Sequence, residues 1–209
     1  MTHRVRRIAI LLLMLAASNG PALAQTVTAI ETELVKGRCK FIADDGEVGH
    51  YALKRCPGLD GWRVYTTAGV HDVTLSFRKG KGKEIEVFSN GSIGLKLEWR
   101  GIKDKQGFRP HAVIVELIIK DYDLPNDKRD EYKVWGVIRM EPRNACLMAV
   151  IDVAANPDAL TLARQSADAD APGTMCVKNN ETLKPRIVGA ETRWAKEAAG
   201  LAEPPEQPK

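Results

Sequence analysis

From residue 26 onward, apolar and polar positions alternate over short stretches, the period of half-buried strands. Thr26 to Val35 reads as a first strand, and His50 to Cys56 as another that runs into the Pro57-Gly58 turn signal. Trp62 to Thr67 is rich in aromatic and β-branched residues, which suit a pleated surface, and Gly69 ends it. Val70 to Phe77 puts Val73, Leu75 and Phe77 on one face, and Glu84 to Phe88 returns across a lysine-glycine loop. Leu95, Leu97 and Trp99 then alternate with Lys96, Glu98 and Arg100, as in a strand with one wet face. His111 to Lys120 differs, because Val113, Val115, Leu117 and Ile119 lie on one face while Ile114 and Ile118 lie on the other. Such a strand is expected at the centre of a sheet covered on both sides. A polar loop over Asp121 to Asp130 carries a Pro125-Asn126 turn and leads to the partner strand Tyr132 to Met140, followed by the apolar run Ala145 to Val153.

One helix is well signalled. Asn156 is a suitable cap, Pro157 fits the first helical position and Asp158 suits the positive end of the dipole. Ala159, Leu160, Leu162, Ala163 and Ala167 form a narrow apolar stripe to about Asp168, and Pro172-Gly173 stops it. A weaker helical pattern covers Ala190 to Ala199, and residues 196–209 read as a disordered proline- and glutamate-rich tail. The expected fold class is α+β, mainly antiparallel β: one β-rich domain over residues 25–195 with a C-terminal helix packed on the sheet.

The first 24 residues follow a different pattern. Arg4, Arg6 and Arg7 precede an apolar run from Ile8 to Ala17, and Pro21-Ala22-Leu23-Ala24 places small residues where a signal peptidase reads. The run is far shorter than the roughly 20 residues that span a bilayer. A cleavable leader over residues 1–24 is expected, with no transmembrane anchor and delivery to the periplasm or beyond. Removing it takes away three arginines and no acid, so the formal charge falls from +4 to +1. A near-neutral domain lacks the basic bias of a dedicated nucleic-acid binder. The one contiguous basic cluster, Arg78-Lys79-Gly80-Lys81-Gly82-Lys83, reads as a solvated hairpin loop, with contact to an anion or a membrane surface as the alternative.

Cys39, Cys56, Cys146 and Cys176 make an even count, which in an exported chain reads as disulfides. Of the three possible pairings, Cys39–Cys56 and Cys146–Cys176 is favoured because each link closes a short local loop. No two cysteines have metal-ligand spacing, and His50, His71 and His111 show no ligand pattern beside them, so neither a metal nor a cofactor is expected.

Catalytic signatures are equally sparse. Ser76, Ser89, Ser92 and Ser166 lie in no nucleophile motif, and adjacent His71 and Asp72 on a strand would point to opposite faces. Glu116 interrupts Val-Ile-Val-Glu-Leu-Ile-Ile, where an unpaired carboxylate is costly; Arg139 or Arg100 on a neighbouring strand is the expected partner. No phosphate loop or dinucleotide fingerprint appears. Aromatic residues offer core packing first and a ligand patch second, with Trp62 the best candidate for exposure because a turn precedes it. Trp62, Tyr65, His71 and Asp72 together form the candidate binding surface.

The segment Cys56-Pro57-Gly58, Gly61 and Val64-Tyr65 resembles a family of small secreted proteins of Gram-negative bacteria marked by a C-P-G-x-x-G turn and strand. A second likeness runs from Cys146 through Asp152, Asn156-Pro157-Asp158-Ala159, Leu162-Ala163-Arg164 and Ala167-Asp168 to Cys176. Leu97-Glu98-Trp99-Arg100 and Arg109-Pro110-His111-Ala112 lie between, and the resemblance covers most of residues 36 to 177. It departs after Gly69, where Val70-His71-Asp72-Val73 replaces an expected Asp-x-Arg, so no role is carried over to that pair. The resemblance implies export and the same cysteine pairing; it implies no activity, because the family has none assigned. The expected function is a non-enzymatic binding or interaction module of the envelope, its partner an envelope protein or a secreted enzyme, for instance as a lysozyme-type inhibitor. The alternative is a hydrolase of an envelope polymer or small ester that uses Glu116 or His71.

Overall fold

The computed structural model describes residues 26–44, 52–69, 72–121, 130–178, 181–182 and 185–188. The expected leader, the weak helix over Ala190 to Ala199 and the tail lie outside them, as does most of the loop between Asp121 and Asp130. Among the described residues no helix is long and apolar enough to cross a membrane.

The fold is mainly antiparallel β with one late helix, and it has three layers. β1 (Val27–Glu33) belongs to a six-stranded sheet. The chain then builds a separate five-stranded meander from β2 (Lys40–Asp44), β3 (Ala52–Pro57), β4 (Trp62–Ala68), β5 (Val73–Lys79) and β6 (Ile85–Asn90). It returns to the larger sheet through β7 (Ser92–Asp104), β8 (Gly107–Asp121), β9 (Asp130–Glu141) and β10 (Asn144–Asp152). A helix, α1 (Ala159–Gln165), continues through a π-helical turn over Ser166–Asp170 and a 3-10 turn over Ala171–Gly173. The short pair β11 (Val177–Lys178) and β12 (Glu181–Thr182) precedes β13 (Arg186–Val188), which lies parallel to β10 at the sheet edge.

Gly91 makes the passage from one sheet to the other possible. Its φ is 40°, and a Cβ there would lie 2.0 Å from the Ile118 carbonyl oxygen, so only glycine fits.

The alternation read from the sequence divides the apolar residues between two cores. Trp62, Val64, Leu75 and Phe77 of the smaller sheet face Leu97, Trp99, Val113, Val115, Leu117 and Ile119 of the larger one. Phe77 is the hinge of this sandwich, meeting Trp62 and Trp99 edge-on at 6.4 and 6.0 Å between ring centroids. On the other side of the larger sheet, Ala112, Ile114, Val137 and Ile151 pack beneath Ala159, Ala163, Ala167 and Ala171. The four alanines recur every four residues, so the helix axis approaches the sheet closely. β8 is thus covered on both faces, as its doubled apolar pattern requires. A bulge in β10 between Leu147 and Ala149 adds Met148 to the helix-facing core.

Both expected disulfides are formed, Cys39–Cys56 with Cα atoms 4.1 Å apart and Cys146–Cys176 with 5.5 Å. The first joins the start of β2 to β3; the second ties the segment after the helix to β10. The capping expectation needs correction. Asn156 donates its side-chain amide to the carbonyls of Asp152 (2.8 Å) and Val188 (3.2 Å), bracing β10 against β13, while Asp158 occupies the N-cap without a side-chain bond. Tertiary partners outcompete the helix end for that amide, and the helix continues one turn beyond Asp168.

Candidate functional site

Of the residues proposed from sequence as an exposed patch, Trp62 and Tyr65 are buried. Trp62 is only 3% exposed, on the inward face of β4, with the Lys79 ammonium 5.6 Å above its ring and held by Asp60 at 2.7 Å. The preceding turn, expected to leave Trp62 open, instead folds it into the sandwich. Tyr65 lies on the outward face but is 4% exposed, covered by the Arg78 guanidinium 4.7 Å from its ring centre. Its hydroxyl and the Arg78 Nε are both buried without a hydrogen-bond partner among the described residues. Asp72 is half-buried: its carboxylate accepts from the Gly91 amide at 3.2 Å and its carbonyl from Gly69 at 2.8 Å, which ties the β4–β5 turn to the passage between sheets. His71 lies outside the described residues.

Glu116 is paired, but with Lys133 at 2.7 Å rather than with Arg139 or Arg100. Cross-strand register explains this: Lys133 lies opposite Ile118, diagonal to Glu116, whereas both arginines are engaged elsewhere. Arg139 donates to the carbonyls of Thr174 and His111, each at 3.1 Å.

Arg100 belongs to a charged cluster between the larger sheet and the helix. Its Nε donates to Asp168 at 2.9 Å, its Nη2 contacts the same carboxylate, and its Nη1 donates to Glu98 at 3.0 Å. Glu98 also receives Arg164, with Nη2 to Oε2 at 2.8 Å. Two strand residues and two helix residues thus form alternating charges that clamp the helix. His111, at a bulge in β8, lies beside them. Burial pushes its pKa below the ordinary histidine value; Asp168 and the Ala167 carbonyl pull the other way, while Arg139 and Arg100 add to the depression.

A depressed histidine pKa means that the unfolded chain takes up the proton first. The contribution to stability is complete above the ordinary value of about 6.5 and is lost as pH falls below it toward the folded value. Melting curves are therefore expected to shift down on acidification below about pH 6.5, and His111→Gln is expected to flatten that part of the profile. An unchanged acid limb in the variant would assign the loss to other groups.

The arrangement with recognition chemistry lies on the outward face of the five-stranded sheet. Arg55, Arg63, Tyr65 and Arg78 all point away from the core, since they alternate with Cys56, Val64 and Phe77. Register brings them together: Lys40 lies opposite Arg55, Arg55 opposite Tyr65, and Arg63 opposite Arg78. Arg38, in the turn before β2, completes the group. Arg38, Lys40, Arg55 and Arg63, with Cys56 and Pro57, line a groove of ≈ 230 Å³ that contains no carboxylate. Among the described residues none of these four cations has an ion-pair partner, whereas Lys79, Arg100, Arg109, Lys133, Arg164 and Arg186 are all paired. Glu86 shares the face but sits on β6, two strands from Arg63.

Two other depressions offer less. One of ≈ 430 Å³ beside Cys146–Cys176 has Glu86 as its one charged wall among the described residues; one of ≈ 330 Å³ against the helix holds Ser166, Asp170 and Arg186 bonded to one another. Among the described residues no group of histidines, cysteines and acids is placed to hold a metal ion. Comparison with known proteins found no matching family model, curated protein or solved structure. The resemblance to secreted Gram-negative proteins therefore rests on its motifs.

Proposed function

We propose that this protein is a non-enzymatic binding module of the cell envelope, exported by its leader, and that the basic face of the five-stranded sheet receives an anionic partner. The observation that carries this reading is the set of four cations, Arg38, Lys40, Arg55 and Arg63, gathered in one groove and without an ion-pair partner among the described residues. Like charges brought together repel, and a folded chain normally intersperses acids among them. An external anion supplies the missing charge. Placement favours recognition too: Arg55 and Arg63 stand on the paired strands β3 and β4, and Cys39–Cys56 fastens the turn that carries Arg38 to β3, so little order is lost when they bind. The hydrolase alternative has less support, because Glu116 is held by Lys133.

The test is capture from envelope extracts with tagged protein. Wild-type protein is expected to retain a partner that elutes with salt, and Arg55→Ala with Arg63→Ala is expected to lose it while keeping the wild-type melting temperature. A partner retained equally by the double variant would place recognition elsewhere.

A further inference from the structure

Resting on that reading, we propose that the anions bound by the basic face are the phosphates of acidic lipid headgroups, and that the protein docks on a membrane surface by the β2 edge of the five-stranded sheet. Chemistry, shape and the edge strand converge on this partner. Three guanidinium groups and one ammonium line the groove, and the planar guanidinium fork matches a phosphate through two parallel hydrogen bonds. At ≈ 230 Å³ the groove is smaller than the roughly 300–1,000 Å³ typical of sites that engulf a small ligand. It suits a headgroup whose remainder stays outside.

The edge strand that carries Lys40 decides between a lipid surface and an acidic protein. Phe41 and Ile42 directly follow Lys40 on the edge strand and are 56% and 45% exposed, Phe41 opposite Lys54 on the other face of the strand from Lys40. Ile42 is the extra residue of a bulge, without a partner on β3. Edge strands usually carry charge and little apolar surface, because exposed apolar edges invite aggregation. Two apolar side chains are too few for the apolar centre of a standard protein interface, which buries about 1,200–2,000 Å². They suffice at a bilayer, where shallow apolar insertion adds to the attraction of each nearby cation for anionic headgroups. The β5–β6 hairpin leaves the sheet at the end where Arg63 and Arg78 pair, and it carries exposed Lys81 and Lys83 at the same end.

The experiment is co-sedimentation of protein isolated from the envelope fraction with vesicles of phosphatidylcholine alone or mixed with phosphatidylglycerol. Binding to the mixed vesicles, reversed by high salt and absent with phosphatidylcholine alone, is the expected result. Arg55→Ala with Arg63→Ala is expected to weaken it about thirtyfold, at a roughly equal contribution from each cation near a charged surface. Phe41→Ser with Ile42→Ser is expected to weaken it as well, although it removes no charge. Lys103→Ala with Lys105→Ala, exposed hairpin residues that do not line the groove, is the control and is expected to bind as wild type. Absence of binding to mixed vesicles, or binding indifferent to the groove and edge-strand variants, overturns the lipid assignment. If an envelope protein is captured through Arg55 and Arg63 while vesicles are ignored, only the lipid assignment falls. If neither vesicles nor envelope partners depend on those arginines, the binding reading falls too.

Discussion

Reducing both disulfides is expected to unfold the domain at physiological temperature. The links close loops with sequence separations of 17 and 30. Through the chain entropy of the unfolded state these contribute about 3 and about 4 kcal/mol. Their sum is comparable to the whole stability of a typical domain, about 5–15 kcal/mol. The two are not equivalent in the fold. Cys176 is fully buried, and its amide donates to Glu141 at 2.9 Å, so Cys146–Cys176 anchors the exit from the helix. Cys39–Cys56 fastens an edge strand. Cys146→Ala with Cys176→Ala is therefore expected to lower the urea midpoint more than Cys39→Ala with Cys56→Ala. Urea curves with and without reductant check this; coincident curves would show that neither link restrains the unfolded chain.

Trp99→Ala is expected to cost about 3–5 kcal/mol. Trp99 is completely buried, meets Phe77 edge-on, and donates its indole N–H to Thr32 Oγ at 2.8 Å. Truncation leaves a cavity between the sheets and an unsatisfied hydroxyl on β1. Phe77→Ala is expected to fall in the same range, because Phe77 touches a tryptophan from each sheet. Trp99→Phe, which keeps an aromatic ring but loses the indole donor, should recover much of the loss. Equilibrium unfolding of the three variants checks the order, and a Trp99→Ala loss under about 1 kcal/mol would contradict the packing described.

Most of the fold was legible in the sequence because burial here follows alternation between bulges; Leu95, expected beside Leu97 and Trp99, is 63% exposed next to a register shift between β7 and β8. Leu75 and Phe77, Leu97 and Trp99, and the doubled pattern of Val113 to Ile119 each declare a face, and the alanines after Pro157 declare a closely packed helix. Cysteine pairing was legible from loop length. Side-chain partners were not. Asn156 looks like a cap by position yet bonds across to β13, and Glu116 finds Lys133 through a diagonal that no local rule specifies. Trp62 follows a turn yet faces inward, since alternation with Arg63 and the register with β5 set its side.

The basic groove was the least visible feature. Its residues come from the turn before β2, from β2 itself, from β3 and from β4, and only strand register and the Cys39–Cys56 link assemble them. The contiguous cluster at Arg78 to Lys83 is more conspicuous in the sequence, but Lys79 is already neutralised by Asp60 and Arg78 covers Tyr65. One signal was present: Cys39 is flanked by Arg38 and Lys40, and Cys56 by Arg55, so pairing those cysteines necessarily gathers three cations.

Hydrogen-exchange mass spectrometry of the protein alone and with isolated envelope membranes reads the contact surface most directly. Added protection at residues 38–42, 54–57 and 62–65, with none over the helix at 159–173, is the expected result. Protection confined to the helix face, or no change along β2, β3 and β4, would contradict recognition by the arginine-lined sheet.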